Sequence, residues 1–347
     1  KMIDRVAFTL FGKDIYWYGI IIMIGLVLGM YVAVINAKRK GYTAELVIDF
    51  LILAVPLAVI GARAYYVIFN YEAYQGDLLK MIAIWDGGIA IFGAVIGGAI
   101  AALIIRLIKG FPALRILDIT APGLILGQAV GRWGNFINQE AYGRILLNTK
   151  WHYFPLAVKI DVPKIAGQLP GYYMATFFYE FAWNSIVFII LMLLRDKLNK
   201  LNGGLFAAYL MLYGFGRFFI EGLRTDSLML TETIRVSQGL SLVLVVVGAF
   251  YLAYGLSKKP VFKEYEGKYI YDTEKAEAER AVYTAKIEEK NRVKAEKAEA
   301  RATAAAEKAE ARAKAETEKA EAKAKAEAEK AEEKEKSEKT DSEDSDK

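Results

Sequence analysis

The sequence predicts an all-α polytopic membrane protein of about seven transmembrane helices, with its N-terminus outside and its C-terminus cytoplasmic. Three observations predict it. The 347 residues are 55% hydrophobic with a mean hydropathy of +0.23, although the last part of the chain is almost wholly Ala, Glu and Lys, so the body is an integral membrane protein. Apolar runs recur between Trp17 and Leu256, most of them long enough for a hydrocarbon core of roughly 30 Å. Seven spans drawn with the N-terminus outside put every strong Lys/Arg cluster on the cytoplasmic side, as positive residues require.

The first span, Trp17 to Ala37, is closed by Lys38, Arg39 and Lys40, which fix that end as cytoplasmic. KMIDRVAFTLFGKDI before it lacks a signal-peptide pattern, so this span is expected to do the targeting. The second, Leu46 to Phe69, carries Asp49 near its inner end and Arg63 near its outer one. The linker Asn70 to Trp85 is external, and a glycine-rich third span starts at Asp86 and runs to Arg106 and Lys109, its small residues favouring close helix packing. Asp86 reads as the cap of that helix. The fourth span, about Leu117 to Ile137, returns outward. Residues 138–175, broken by Pro155, Pro163 and Pro170, form an external arm rather than a span. The fifth span is Thr176 to Leu194, the sixth Gly203 to Leu223 and the seventh Gly239 to Leu256. The domain reading is a transmembrane domain over 1–260 and a low-complexity cytoplasmic tail over 261–347. The tail repeats EKAEA and has no apolar stripe to bury, so it reads as a solvated or disordered extension with a cytoplasmic interaction arm as the lesser reading.

Composition excludes several chemistries. Cysteine is absent and His152 is the only histidine, so no thiolate nucleophile, disulfide or imidazole-built metal site is expected. The spans lack the aspartate cluster that a metal-dependent phosphatidyl-group transferase would need. No cofactor or metal and no nucleic-acid partner is expected.

The unusual polar residues converge at one depth. GQAVGRWGNFINQEAYG, Gly127 to Gly143, places Arg132 in the outer end of the fourth span, where a charge is costly and so marks a functional candidate; an arginine snorkelling to the interface beside Trp133 is the equal alternative. Projected onto their spans, Tyr18, Arg63, Asp86, Asn135, Tyr179, Glu180, Arg217, Glu221 and Arg224 all fall in the same outer half. Paired guanidiniums there suit an anionic head group entering from the outer leaflet. Arg217, Glu221 and Arg224 share one helix face by their spacing, although Arg217 with Glu221 also reads as a plain ion pair that fixes packing. Arg63 and Tyr18 read equally as an interface anchor and a belt aromatic. Glu140 lies just outside the helix, where a solvated carboxylate is ordinary. His152 has no titratable partner nearby.

GRWGNFINQEAYG, WYG at Trp17, GARAYYVIF at Gly61, WDGGIAIFGAVIGG at Trp85, FFYEFAWN at Phe177 and YGFGRFFIEGLRTDS at Tyr213 together resemble the prolipoprotein diacylglyceryl transferase family, in order, over roughly residues 10–257. The resemblance implies a multi-pass enzyme of the bacterial plasma membrane with its active site towards the outer leaflet. It implies transfer of the diacylglyceryl group of phosphatidylglycerol to the lipobox cysteine thiol of prolipoproteins, releasing glycerol 1-phosphate. Partners would be phosphatidylglycerol, lipobox-containing prolipoproteins and the bilayer. Arg132 matches the arginine that binds the phosphate and Arg217 the second essential arginine, with Tyr18 and Glu140 expected beside them in catalysis. Asn135, Gly143, Glu221 and Arg224 match kept positions and, with Arg63, are expected to bind substrate. The chemistry fits, since the substrate supplies the thiol and the arginines stabilise the departing phosphate.

Two departures qualify the expectation. Phe92 stands where family members have a histidine or tyrosine, and Met174 and Ala175 stand where a histidine and proline are common before the fifth-span Tyr-Glu. Phenylalanine can neither take nor give a proton, so either that polar group is not essential or another residue such as Tyr18 or Glu140 substitutes for it. The rivals are an inactive homologue serving as a membrane scaffold and an anion or lipid transporter using the same arginines, the latter opposed by the lack of an inverted repeat.

Overall fold

The computed structural model describes residues 4–161, 168–225, 235–258, 265, 267–270, 285 and 288–304, with the side chain of Asp86 left aside. It divides into two compact units, Lys1–Tyr271 and Asp272–Lys347.

The first unit is built from long helices. These are α1 (Trp17–Arg39), α2 (Ala44–Phe69), a short α3 (Leu78–Ile82), α4 (Ile91–Lys109), α5 (Ala113–Asn138), α6 (Thr176–Leu194), α7 (Gly204–Glu221) and α8 (Val236–Lys258). Six of them, α1, α2, α4, α5, α6 and α8, are long and apolar enough to cross a membrane. A helix, α7, stands where the sixth span was expected, but Arg217 and Glu221 lower its hydropathy and it is outside that group of six. Val27 and Tyr31 on α1 and Val246 and Phe250 on α8 are exposed, as lipid-facing side chains are.

Two short antiparallel ribbons accompany the helices. β1 (Val6–Leu10) pairs with β2 (Lys13–Tyr16) before α1, and β3 (Ala157–Ile160) pairs with β4 (Gly171–Met174) within the expected arm. Pro163 lies outside the described residues.

Helix α5 is the organising element, packing against α1, α4, α6 and α7. One buried cluster joins Ala33, Phe50, Ala101, Ile105, Ile116 and Ile119 from α1, α2, α4 and α5, and a second joins Ile125, Val187, Leu191, Leu205 and Tyr209 from α5, α6 and α7. Small residues set the spacing. A Cβ added to Gly29 would stand 2.7 Å from the Gly123 carbonyl oxygen, and Gly93 abuts the Gly61 backbone, so α1 meets α5 and α2 meets α4 at backbone contact.

The third span does not begin at Asp86. Ile84–Asp86 is a 3₁₀ turn, Gly87 (φ 82°) and Gly88 (φ 73°) break the chain in left-handed backbone, and the N-cap of α4 is Ala90, so Asp86 is not the cap.

Basic side chains gather at one end of the bundle. Arg39 forms a two-bond pair with Asp196 at 3.0 and 2.7 Å, and Lys40 donates to the Asn199 side chain at 2.5 Å. Burial pushes the Lys40 ammonium down to about 8. Beyond α8, the chain returns to this end. Tyr269 is fully buried, packs on Phe111 and donates to Asp49 at 2.7 Å, while Lys268 pairs with the same carboxylate at 3.0 Å. Burial and that carboxylate push the Tyr269 phenol up.

In the second unit, residues 288–304 are helical and exposed throughout, with Arg292 and Glu296 3.6 Å apart one turn on, as a solvated helix of alternating charge requires. Residues 305–347, the remainder of the repeats, lie outside the described residues.

Candidate functional site

The site lies at the end of the bundle away from the basic cluster. Helices α5, α6 and α7 each carry an ionised side chain into it, because the helical period that turns their apolar residues to neighbours brings Arg132, Glu180 and Arg217 onto facing surfaces. Glu180 is the centre. Its carboxylate is 3% exposed, and it meets Arg132 at 2.6 Å, Arg217 at 2.7 Å and Arg224 at 3.3 Å. Arg217 also pairs at 2.6 Å with Glu221, one turn along α7 and 2% exposed. The three guanidinium side chains are 19%, 17% and 13% exposed, so the carboxylates are sealed while the cations keep an open edge.

Taken together, three guanidiniums and two carboxylates leave one net positive charge. A lone buried charge is strongly unfavourable, whereas a carboxylate shared among forked donors lets several arginines stand together in a water-poor place. Such a group is held in position and retains unmet attraction for an anion at its exposed edge.

A second chain of polar contacts leads away from Arg132. Its Nη1 reaches Asn135 Oδ1 at 3.5 Å, and the Asn135 amide donates to Glu140 Oε1 at 3.1 Å, where Asn138 also donates at 3.2 Å. The local backbone makes this return. Gln139 caps α5 in left-handed conformation (φ 50°), and the Glu140 N–H donates to the Asn135 carbonyl at 3.0 Å, which folds Glu140 back over the helix end. Tyr18 sits on the same end of α5, its ring filling the space over Gly134, where an added Cβ would stand 2.6 Å from Tyr18 Cδ2.

Gly143 lies where the arm crosses the helices. Its N–H donates to the Met174 carbonyl at 2.9 Å, it bridges to Arg224, and an added Cβ would stand 2.8 Å from Thr176 Cγ2 and 2.9 Å from the Leu223 oxygen. Any side chain there would push the arm away from the arginines. Thr176 and Tyr179 tie α6 to the same region, donating to Ala141 and Leu156 at 2.6 Å each. Arg235, ahead of α8, bonds to the Glu221 carbonyl.

A sequence model described as prolipoprotein diacylglyceryl transferase matches residues 5–254. The chain belongs to that family. Among its relatives, a phosphatidylglycerol–prolipoprotein diacylglyceryl transferase of Oceanobacillus iheyensis is 44% identical over 268 residues, covering 76% of this chain and 91% of that one. The Streptococcus uberis protein of the same name is 47% identical over 253 residues, covering 72% and 95%. That of Bacillus licheniformis is 42% identical over 265 residues, covering 76% and 97%. The match takes in every helix of the first unit except the last residues of α8, and the expected resemblance is therefore borne out.

Of the residues expected at a prolipoprotein diacylglyceryl transferase site, the fold brings Arg132, Arg217 and Arg224 onto the Glu180 carboxylate, pairs Glu221 with Arg217, sets Asn135, Glu140 and Tyr18 beside them, and puts Gly143 at the edge. Arg63 is engaged elsewhere. It is 5% exposed and donates to the carbonyls of Met81 (2.9 Å), Gly87 (2.5 Å), Gly88 (2.7 Å) and Lys80 (2.6 Å), with Tyr74 beneath it, so it braces the turn that leads into α4. His152 stacks on Tyr172 and its ring Nε2 meets the Leu146 carbonyl at 2.7 Å, a packing role within the arm. Phe92 packs beside the Tyr65 ring, centroids 5.9 Å apart. Sequence groups Glu180 with Arg132 and Arg217, which it meets here, but does not put it among the expected site residues. The usable signal was a carboxylate in an otherwise apolar span, which has to find cations. Among the described residues no group of three or more His, Asp or Glu could hold a metal ion.

Proposed function

We propose that this chain transfers the diacylglyceryl group of phosphatidylglycerol to the cysteine thiol of lipobox-containing prolipoproteins at the Arg132–Glu180–Arg217 cluster. The observation that carries the assignment is the convergence of three guanidiniums on one sealed carboxylate, with their open edge left for an anion. Sulfur attacks the glycerol carbon bearing the phosphate, the C–O bond breaks, and glycerol 1-phosphate departs. The phosphate passes from one negative charge to about two, and the thiol proton leaves on a base. Arg132, Arg217 and Arg224 take up the added charge by charge-assisted hydrogen bonds. Asn135 and Gly143 shape the pocket edge. Arg63 orders the outer loop rather than touching the lipid.

Glu140 is the proton acceptor in this reading. It is a carboxylate, held by two amides at the end of the chain of contacts from Arg132, whereas the Tyr18 phenol carries its proton at neutral pH and serves as a donor. The membrane arrangement follows from the same reading. Seven spans, with α7 as the sixth, place the cluster in the outer half of the bacterial plasma membrane and the basic end in the cytoplasm. Residues 1–260 form the transferase domain and 261–347 the tail.

Purified protein in phosphatidylglycerol micelles is expected to lipidate a lipobox peptide and release glycerol phosphate without added metal. Absence of product with the wild-type chain sinks the transferase reading. Arg132→Ala and Arg217→Ala are each expected to lower turnover about 100-fold or more, the usual effect of losing one charge-stabilising donor. Near-normal turnover in both would refute the phosphate clamp even with the activity confirmed.

A further inference from the structure

Asp118 lies on α5 at the opposite end from Arg132 and takes no part in the chemistry above. It is 1% exposed. One oxygen accepts from the Gly203 N–H at 2.6 Å and the other from the Phe206 N–H at 2.9 Å, so the carboxylate occupies the first-turn amides of α7. That position is ordinarily served by the residue at the helix's own N-cap. Here the N-cap is Gly203, in left-handed backbone (φ 82°), which has no side chain to offer. A cap from the helix's own N-cap residue travels with it, but a cap from α5 fixes the axial position of α7 against α5.

We propose that Asp118 is a positioning residue, setting the register of α7 on α5 and thereby holding Arg217 at bonding distance from the Glu180 carboxylate. The inference rests on the phosphate-clamp reading for its catalytic consequence, and on geometry alone for its structural one. The two helices run in the same direction, since Asp118 joins their starts and Glu180 joins Arg132 and Arg217 near their ends. Fourteen residues separate Asp118 from Arg132, and thirteen separate Gly204 from Arg217. At 1.5 Å per residue these are struts of about 21 and 20 Å, matched in length and joined at both ends. A slip at the lower joint is carried to the upper one, because a helix is stiff along its axis. Charge suits the joint, since ionised acceptors hold amides more strongly and at shorter distance than neutral ones. Lys40 and Arg115 face the group with balancing positive charge, and Tyr251, from α8, locks the neighbouring turn by donating to the Asn202 carbonyl at 2.5 Å.

The test measures register and turnover separately. The chain has no cysteine, so nitroxide labels at Leu124→Cys on α5 and Phe219→Cys on α7, both exposed side chains, report the α5–α7 distance without background. In Asp118→Ala the distance distribution is expected to shift or broaden by about 2 Å, less than half of a 5.4 Å helical turn. In the same variant without labels, kcat is expected to fall at least about tenfold while KM for phosphatidylglycerol stays within about twofold, as misplacement of a reacting group implies. Asp118→Asn keeps the shape and one acceptor, is expected to lie between wild type and Asp118→Ala in both measurements, and carries the test if the alanine variant fails to fold. An unchanged distance overturns the proposal whatever the activity, and a shifted distance with unchanged kcat overturns its catalytic half. If Arg132→Ala and Arg217→Ala prove active, the clamp fails, while the label distance still decides whether Asp118 sets the register.

Discussion

Replacing Glu180 by glutamine isolates what the central carboxylate does, because the side chain keeps its shape and loses only its charge. Three guanidiniums lie within 3.3 Å of it, and the change removes one of the two carboxylates paired with them, so these five side chains go from one net positive charge to two. Unit charges 4 Å apart interact by about 4 kcal/mol at the effective dielectric of partly buried protein sites. Not all of this is lost, since the arginines keep an exposed edge and relax towards water. The measured cost of removing one partner of a buried pair, about 3–5 kcal/mol, is the better guide. For a folded body of this size that corresponds to a fall in Tm of roughly 6–20 °C. Turnover is expected to drop about 100-fold or more, because the guanidiniums lose the group that aims them. Added glycerol 1-phosphate is expected to raise the Tm of Glu180→Gln more than that of wild type, since an anion then fills the place of the missing charge. Thermal melts in detergent with and without the phosphate, together with the lipobox-peptide assay, decide it. Tm within about 2 °C of wild type, with turnover within about threefold, would show that the carboxylate neither holds nor aims the arginines.

Three further outcomes follow from the geometry. Phe92→Tyr is expected to change turnover by less than about threefold, because Phe92 packs on Tyr65 rather than in the arginine cluster; a gain of tenfold or more, about the reach of a newly supplied proton carrier, would mark the position as the base. Arg63→Ala leaves four carbonyls without their donor and is expected to lower stability by roughly 3 kcal/mol with KM for phosphatidylglycerol unchanged. A raised KM with an unaltered melt would make Arg63 a lipid ligand instead. Lys40 titrates near 8 in the folded chain and near its ordinary 10.5 when unfolded, so burying its charge is penalised below about pH 8 and the penalty is relieved as pH rises from there towards 10.5. The stability advantage of Lys40→Met over wild type is therefore expected to be largest at pH 7 and to shrink by pH 10, and an advantage that does not vary with pH refutes the burial penalty.

What could be read from the sequence was what depends on one dimension. Apolar runs report length and stop at charges, so the ends of α1 and α6 fall within a residue or two of their expected places. Arg132 and Arg217 were legible because a guanidinium in an apolar run is conspicuous wherever it points. Partner choice was not legible. Arg63 and Arg132 read alike in sequence, yet the first meets carbonyls exposed by the Gly87–Gly88 turn and the second meets a carboxylate from α6. The same turn explains the misplaced start of α4, since two left-handed glycines end a helical reading that composition alone permits. Asp118 gave no signal at all, because an aspartate near a basic helix end looks solvated until the first turn of α7 is seen against it. The β3–β4 ribbon escaped because its strands are four residues each and show no alternation strong enough to separate from loop.

The charge balance of the cluster also bears on why the site carries its own carboxylates. Three free arginines would bind any phosphate tightly, and binding substrate and product equally well lowers KM without speeding the reaction. With Glu180 and Glu221 paired to them, the three arginines carry one net positive charge, which in the proposed reaction would match the single negative charge of a phosphodiester. In the proposed reaction the departing monoester gains close to one further charge, which only then would draw the guanidiniums away from Glu180. Attraction thus grows along the reaction coordinate rather than being spent at its start. The Asn135 bridge places Glu140 next to the same arginine, so in the proposed reaction the proton released by the thiol and the charge gained by the phosphate would be received at neighbouring points of one network.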